Sequence, residues 1–292
     1  MRGFEYFAPQ TLEEAIGLLS QYDGRAKVMA GGTDLLIQMR NRELQPQALI
    51  DLKRIPDLDS INYDNEGLKM GALVRIRDIE TSDIVRGKYN VLGQAAGTLG
   101  SVQVRNRATV GGNLCNAAPS ADMAPVLIGL GATLETVGRD GERNMPLEEF
   151  FLAMGETVLE EGEILTGIRV PSMVDSSDGV YIKFAPRKAM ELAVVGVASI
   201  LTMDAMIQSC LDIRIVLLVA APTPTRATRA EAMIRGNRPT DSLIKEAAKV
   251  AAEEAKPRTT PIASEWYRRA LVEELVNRSI SQSLKKVKAR RG

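Results

Sequence analysis

The sequence predicts an α+β fold in two parts, and three observations predict it. Short apolar strand patterns are interleaved with helical ones over the first half of the chain. Two of the breaks in that half carry paired glycines. Beyond residue 180, three strand patterns precede three helical ones. Strands gathered first and helices afterwards describe a compact α+β domain rather than a regular βαβ alternation. With 292 residues, the chain is long enough for about two domains and a sizeable core.

The first helix is marked by the capping box Thr11-x-x-Glu14. Leu12, Ala15, Ile16, Leu19 and Tyr22 recur along it at helical spacing, and Asp23-Gly24 stops it. Ala26–Ala30 reads as a short buried strand running into Gly31-Gly32. A helix is expected over Leu35–Asn41 and a second strand over Ala48–Leu52, giving a small β-α-β layout with the glycine turn between strand and helix. Ile61–Tyr63 and Leu68–Met70 form a hairpin turned by Asp64-Asn65-Glu66-Gly67. Helices are expected at 76–85, 89–99 and 122–130. A second hairpin pairs 132–137 with 143–145, and a strand follows at 164–170. Pro171–Gly179 is polar and closed by glycine, so it reads as a linker. Strands at 181–184, 194–202 and 213–220 then precede helices at 225–234, 240–255 and 264–284. The basic tail Lys285–Arg291 reads as a solvated, frayed terminus.

Composition removes several function classes. Lys+Arg and Asp+Glu both number 37, which argues against a general nucleic-acid or membrane-surface binder. No apolar run reaches the roughly 18 residues of a membrane span, and the Met1-Arg2-Gly3-Phe4-Glu5-Tyr6 start lacks the apolar stretch of a signal peptide, so a cytoplasmic location is expected. The chain has no histidine, which excludes Ser-His-Asp and Cys-His catalysis, histidine–zinc sites and a histidine-linked flavin. Cys115 and Cys210 are the only cysteines, too few for a disulfide framework or a four-cysteine iron–sulfur cluster. Any redox chemistry therefore belongs to a bound organic cofactor. No catalytic side chain and no metal site is expected.

Two segments carry the functional signal. The first is Ala30-Gly31-Gly32-Thr33-Asp34-Leu35. The second runs from Gln103-Val104-Arg105-Asn106 through Thr109-Val110-Gly111-Gly112-Asn113-Leu114-Cys115-Asn116 to Ser120-Ala121-Asp122. Paired glycines let backbone N–H groups approach a ligand without an intervening Cβ, and such a turn at a helix start suits a phosphate. Two of them suggest a ligand with two phosphates and an extended body, such as a dinucleotide; the alternatives are a tight turn and a surface loop. The Asp34 carboxylate would repel a pyrophosphate, so it is expected to cap the next helix or accept a ligand hydroxyl. Cys115 and Cys210 read as small buried hydrophobes. Arg187-Lys188 reads as a solvated pair, with anion binding as the alternative.

Taken together, the chain resembles the FAD-binding medium subunit of the molybdenum hydroxylases, the xanthine dehydrogenase and carbon monoxide dehydrogenase group. The resemblance covers almost the whole length. Besides both glycine segments, it rests on Phe4-Glu5-Tyr6-Phe7-Ala8-Pro9, Thr11-Leu12-Glu13-Glu14-Ala15, Gly71-Ala72-Leu73-Val74, Tyr181-Ile182-Lys183 through Arg187-Lys188, Pro224-Thr225-Arg226-Ala227 and Trp266-Tyr267-Arg268-Arg269.

The resemblance implies a vanillyl-alcohol-oxidase-like FAD-binding domain over residues 1–175, made of two α/β subdomains at about 1–55 and 56–175. A C-terminal α+β domain of antiparallel strands and helices would occupy 176–292. It implies noncovalent FAD held by Val28, Met29, Ala30, Gly31, Gly32, Thr33, Asp34 and Leu35 from the first loop. The second loop would contribute Ala108, Thr109, Gly112, Asn113, Cys115, Asn116, Ala121 and Asp122. Leu165 would lie beside the cofactor, Lys183 at the isoalloxazine edge, where its positive charge would favour the reduced anionic flavin, and Leu192 over the ring. Relatives commonly have an aspartate after the Arg-Lys element, where this chain has Glu191. No cysteine-bearing insertion of the hydroxybenzoyl-CoA reductase kind is present. The resemblance also implies a hetero-oligomer with a small [2Fe–2S] subunit and a large molybdopterin subunit. Electrons would pass from the partner's clusters to FAD and on to NAD or another carrier. The alternatives are a stand-alone FAD oxidase and a partner-binding scaffold without cofactor.

Overall fold

A computed structural model describes residues 3–187 and 189–290. Lys188 of the Arg-Lys element and Arg291 of the basic tail lie outside the described residues. The chain opens with a three-stranded parallel sheet in which Ala48–Asp51 is central, flanked by Glu5–Phe7 and Ala26–Met29. The Leu12–Tyr22 helix begins as expected, with Thr11 Oγ1 accepting from Glu14 N at 3.2 Å. The Glu14 carboxylate reaches back to Gln10 N at 2.9 Å. Asp23, at φ 48°, ends the helix. Its face of Ala15, Leu19 and Tyr22 packs with Ala48, Ile50 and Leu52 of the sheet.

Next comes a five-stranded antiparallel sheet. The strand Ile164–Pro171 lies between the hairpin Ile61–Asp64/Gly67–Gly71 and the hairpin Thr133–Gly138/Gly141–Pro146. The helix expected over 76–85 is instead two, Ile76–Thr81 and Asp83–Lys88. Ser82 divides them: its extended backbone cannot continue the first helix, and its Oγ accepts from Val85 N at 3.4 Å to start the second. Asn90–Thr98 and Met123–Gly129 carry the largest apolar faces of this part.

A four-stranded antiparallel sheet follows, in the order Ser177–Phe184, Val195–Met203, Cys210–Leu218 and Thr225–Arg226. Its two central strands are buried on both faces. Val197, Leu201, Ile213, Ile215 and Leu217 meet the helices Asp241–Glu254 and Glu265–Ala289. Ala198, Ile200, Val216 and Leu218 turn the other way, into one core with Leu92, Ala95, Val126 and Leu127. The last sheet is therefore sandwiched between its own helices and those of the preceding part.

Three expectations are corrected here. The linker read over 171–179 ends early, because Ser177, Asp178 and Gly179 already pair with Thr202, Leu201 and Ile200. The small residues that suggested a linker serve close packing: a Cβ on Gly179 would lie 2.4 Å from Ile200 Cδ1. The helix expected from Thr225 starts at Thr228, since Thr225–Arg226 is an edge strand on Val216–Leu217. The basic tail is helical through Ala289 rather than frayed. Lys286 Nζ donates to Gly179 O at 3.0 Å and Arg290 pairs with Asp178 at 2.8 Å, so its cations clasp the start of the last sheet.

Leu127, fully buried on the helix that joins the two parts, gives a direct test of this packing. Leu127→Ala is expected to cost about 2–5 kcal/mol of unfolding free energy in chemical denaturation. A cost below about 0.5 kcal/mol, the level of an ordinary surface change, would place this helix outside the core.

Candidate functional site

The two glycine segments meet backbone to backbone. A Cβ on Gly31 would lie 2.1 Å from Arg107 O and 3.0 Å from Ala108 Cα, so only glycine lets the first turn rest on the second segment. The second segment is tied in turn to 72–76: Ile76 N donates to Ala108 O, Val110 N to Val74 O and Gly111 N to Ala72 O, each at 2.9 Å. Gly111 permits this approach, since a Cβ there would lie 2.6 Å from Ala72 O. Gly31 and Gly111 thus serve the joining of two parts of the fold. Ala30 is fixed from the other side, its carbonyl accepting from Lys53 Nζ at 3.2 Å. Lys53 is held by Asp51 at 2.7 Å, which also accepts from Tyr6 Oη.

What remains between the segments is a cavity of about 810 Å³. It is lined by Val28, Ala30, Gly31, Gly32, Thr33, Asp34 and Leu35 on one side. Ala108, Thr109, Gly112, Asn113, Cys115, Asn116, Ala121 and Asp122 line the other, with Leu165, Lys183 and Leu192 completing it. Met29, named with them from the sequence, stands outside the lining, its sulfur under the turn near Gly32. The sequence did not single out Gln38, Leu44, Leu99, Gly100, Leu159, Glu163 or Met190, which also face the cavity. They come from helix ends and loops that only the tertiary fold brings here. Gln38 Nε2 reaches Asn116 Oδ1 at 3.4 Å and links the two sides.

Hydrogen-bond donors are distributed differently from the sequence expectation. In the second segment Thr109 Oγ1 caps the Val110–Cys115 helix by accepting from Gly112 N at 3.1 Å, and Asn113 N donates to Thr109 O at 2.9 Å. These amides are satisfied internally. In the first turn, with Gly32 at φ 75°, the amides of Gly32, Thr33, Asp34 and Leu35 have no acceptor among the described residues. The longest run of free donors for an anion is therefore 32–35, with the single amides of Ala118, Ser120 and Asp122 also free among the described residues on the opposite side. The Asp34 side chain makes no capping bond to the Leu35–Arg40 helix; it is exposed, and its carboxylate accepts from Thr33 Oγ1 at 3.3 Å.

Lys183 also differs from expectation. Its ammonium lies 2.8 Å from Asp122 Oδ2 and donates to Thr98 O at 3.2 Å, while Tyr181 Oη donates to Asp122 Oδ1 at 2.7 Å. Burial pushes the Asp122 carboxyl up, partly offset by Lys183, and burial beside that carboxylate pushes the Tyr181 phenol well above its usual range. Lys183 enters the cavity as half of an ion pair, not as an isolated charge. Cys115 lines the cavity, but burial pushes its thiol up to about 12; Cys210, buried in the last sheet, is likewise raised to about 12. Cys210 fits the reading as a small buried hydrophobe, whereas Cys115 is half-buried and open to the cavity. Arg187 is exposed and pairs with Glu191 at 2.5 Å, while Lys188, the other half of the expected Arg187-Lys188 pair, lies outside the described residues.

Residues 2–173 match the family described as the FAD binding domain in molybdopterin dehydrogenase, and residues 180–283 match the CO dehydrogenase flavoprotein C-terminal domain. The chain belongs to the FAD-binding medium subunits of the molybdenum hydroxylase family. It is 33% identical to the carbon monoxide dehydrogenase medium chain of Hydrogenophaga pseudoflava over 95% of its own length and 96% of the relative's. It is 31% identical to the xanthine dehydrogenase FAD-binding subunit of Escherichia coli O157:H7, over 96% of this chain and 95% of that one. A solved structure of carbon monoxide dehydrogenase from Hydrogenophaga pseudoflava superposes with a TM-score of 0.94, covering 99% of this chain and 98% of that chain. This chain is accordingly an oxidoreductase subunit with FAD as its cofactor. No helix among the described residues is long and apolar enough to cross a membrane.

At the far wall Glu163 is almost fully buried and pairs with Arg143 at 2.6 Å. Burial alone would raise its pKa, but Arg143 and Thr136 hold it below the usual 4.5. A depressed carboxyl stabilises the fold above its unfolded value and loses that contribution as pH falls through the folded value. Relative to wild type, Glu163→Gln should cost about 1.5–3 kcal/mol at neutral pH. That difference should shrink as denaturation is repeated below the usual 4.5. A pH-independent difference would contradict the ionic role of Glu163.

Proposed function

We propose that this chain is the electron-transfer subunit of a molybdenum-containing hydroxylase or dehydrogenase, noncovalently holding FAD between the two glycine segments. The observation that carries this reading is the run of unsatisfied amides at 32–35, facing a cavity whose other wall is stitched into the second sheet. A cavity of about 810 Å³ lies in the upper range of cofactor pockets, about 300–1,000 Å³. Few cations line it, so the amides at 32–35 hold the pyrophosphate, with Gly112 leaving room opposite. The Gln38–Asn116 bond closes the cavity alongside. Leu99 and Val104 give the flat ring an apolar wall at the Lys183 end. That end meets solvent, because Met190 and Leu192 are 61% and 65% exposed, and electrons must enter and leave there.

When bound, FAD supplies the redox chemistry that no side chain of this chain provides. The relatives named as a medium chain and an FAD-binding subunit support work within a larger complex. In this reading a small subunit with two [2Fe–2S] clusters delivers electrons released by substrate oxidation at a large molybdopterin subunit. NAD or another carrier accepts them, and the complex works in the cytoplasm. The division at 1–175 and 176–292, with subdomains at about 1–55 and 56–175, belongs to the same reading. A stand-alone oxidase would need a free base beside the ring, yet Asp122 and Glu163, the buried carboxylates of the lining, are both held by cations, and Asp34 stands in the glycine turn.

Two outcomes follow. The purified chain should be yellow, acid precipitation should release its flavin, and substrate should bleach it only when both partner subunits are added. Flavin retained in the pellet would contradict noncovalent binding, and bleaching by the chain alone would support the oxidase. Second, Gly32→Val forces a β-branched residue to φ 75°, costing roughly 1–2 kcal/mol in the turn and misplacing amides whose charged hydrogen bonds are worth about 1.5–3 kcal/mol each. FAD affinity should fall at least about tenfold while far-UV circular dichroism is unchanged; wild-type affinity would remove this turn from the site.

A further inference from the structure

We propose that Asp122 is a positioning residue that cancels the charge of Lys183 at the redox end of the cavity, with Tyr181 holding the carboxylate in place. The inference rests on the proposed seat of FAD and concerns what the protein does to the cofactor there.

Three elements build the arrangement. Lys183 and Tyr181 are alternate residues of the Ser177–Phe184 strand, so both side chains leave the same face, and that face lies against the start of the Met123–Gly129 helix, where Asp122 sits. Each carboxylate oxygen has one partner: Oδ1 accepts from the Tyr181 phenol at 2.7 Å and Oδ2 lies 2.8 Å from the ammonium. Thr98 O takes a second ammonium proton at 3.2 Å. The Lys183 and Asp122 side chains are only 9% and 5% exposed, so water screens neither. The neighbouring charges on the loop above, Arg187 and Glu191, are paired with each other at 2.5 Å.

The consequence is electrostatic. A buried ammonium beside a flavin ring favours the more negative, reduced form, and its effect is large because little water intervenes. An ammonium with a carboxylate at contact distance presents a dipole with no net charge, and its field falls off faster than that of a lone charge. Whether the proton stays on Lys183 or is shared with Asp122, the pair sums to zero. The cavity thus keeps a donor to orient the ring edge without strongly stabilising reduced flavin. That suits a carrier required to release electrons again.

The test is the midpoint potential of FAD on the purified chain, measured by spectroscopic titration against a redox dye. Asp122→Asn keeps the shape and leaves the Lys183 charge uncancelled. It should shift the equilibrium toward reduced flavin at least tenfold, a rise of about 30 mV for a two-electron couple. The double variant Asp122→Asn/Lys183→Met should return to near the wild-type value, which a merely structural role for Asp122 would not produce. If Asp122→Asn does not fold, Tyr181→Phe decides: a smaller rise supports the proposal and no shift overturns it. An Asp122→Asn potential equal to wild type, or a rise that survives in the double variant, also overturns it. Failure of the wild-type chain to bind FAD would instead defeat the proposed function, and the absorption spectrum tells the two failures apart.

Discussion

The contact of Gly31 with the Arg107–Ala108 backbone is the constraint on which the rest of the site depends. It joins a turn leaving the small parallel sheet to a segment already bonded to the 72–76 stretch, which follows the Gly67–Gly71 strand of the second sheet. No side chain at residue 31 could survive a Cβ position 2.1 Å from a carbonyl oxygen. The cost of glycine in the unfolded state is accepted because the contact fixes the spacing between the two parts of the fold. That spacing is the cavity. With its width set by backbone, the lining can consist of small residues and free amides rather than long side chains whose ordering would cost entropy.

Fixing the cavity by backbone also divides labour between the glycines. Gly31 and Gly111 hold the parts together, Gly32 takes the left-handed conformation that leaves the following amides free, and Gly112 leaves space at the opposite wall. The third layer, Ser177–Phe184 with its neighbours, closes the end and brings Lys183 to Asp122. The Glu265–Ala289 helix secures that strand through Lys286 and Arg290. A clasp at the end of the chain therefore stands behind the lysine that faces the cavity.

Much of this was legible in the sequence, and the failures have physical reasons. Thr11 and Glu14 marked a helix start through local hydrogen bonds, and both Gly-turn hairpins were visible because their periodicity and turn chemistry are local. The family resemblance assembled the two loops, Leu165, Lys183 and Leu192 around one ligand, and the fold brings those residues, Met29 excepted, to one cavity. Sequence could not show which amides remain free, because Thr109 and Gly112 satisfy each other only once the helix forms. Nor could it show that Asp122, 61 residues before Lys183, removes the charge assigned to that lysine. Ser177-Asp178-Gly179 resembled a linker since small residues suit turns and close strand packing equally well.

In the proposed seat the first glycine turn, rather than the second, supplies the donors for the cofactor's phosphates. A crystal structure of the chain loaded with FAD decides this. Pyrophosphate oxygens are expected within hydrogen-bond distance of the amide nitrogens in the 32–35 turn, with Gly112 N still bonded to Thr109 Oγ1. A pyrophosphate held by the amides of Gly112 and Asn113, with the Thr109 cap broken and the 32–35 amides turned to solvent, would contradict it.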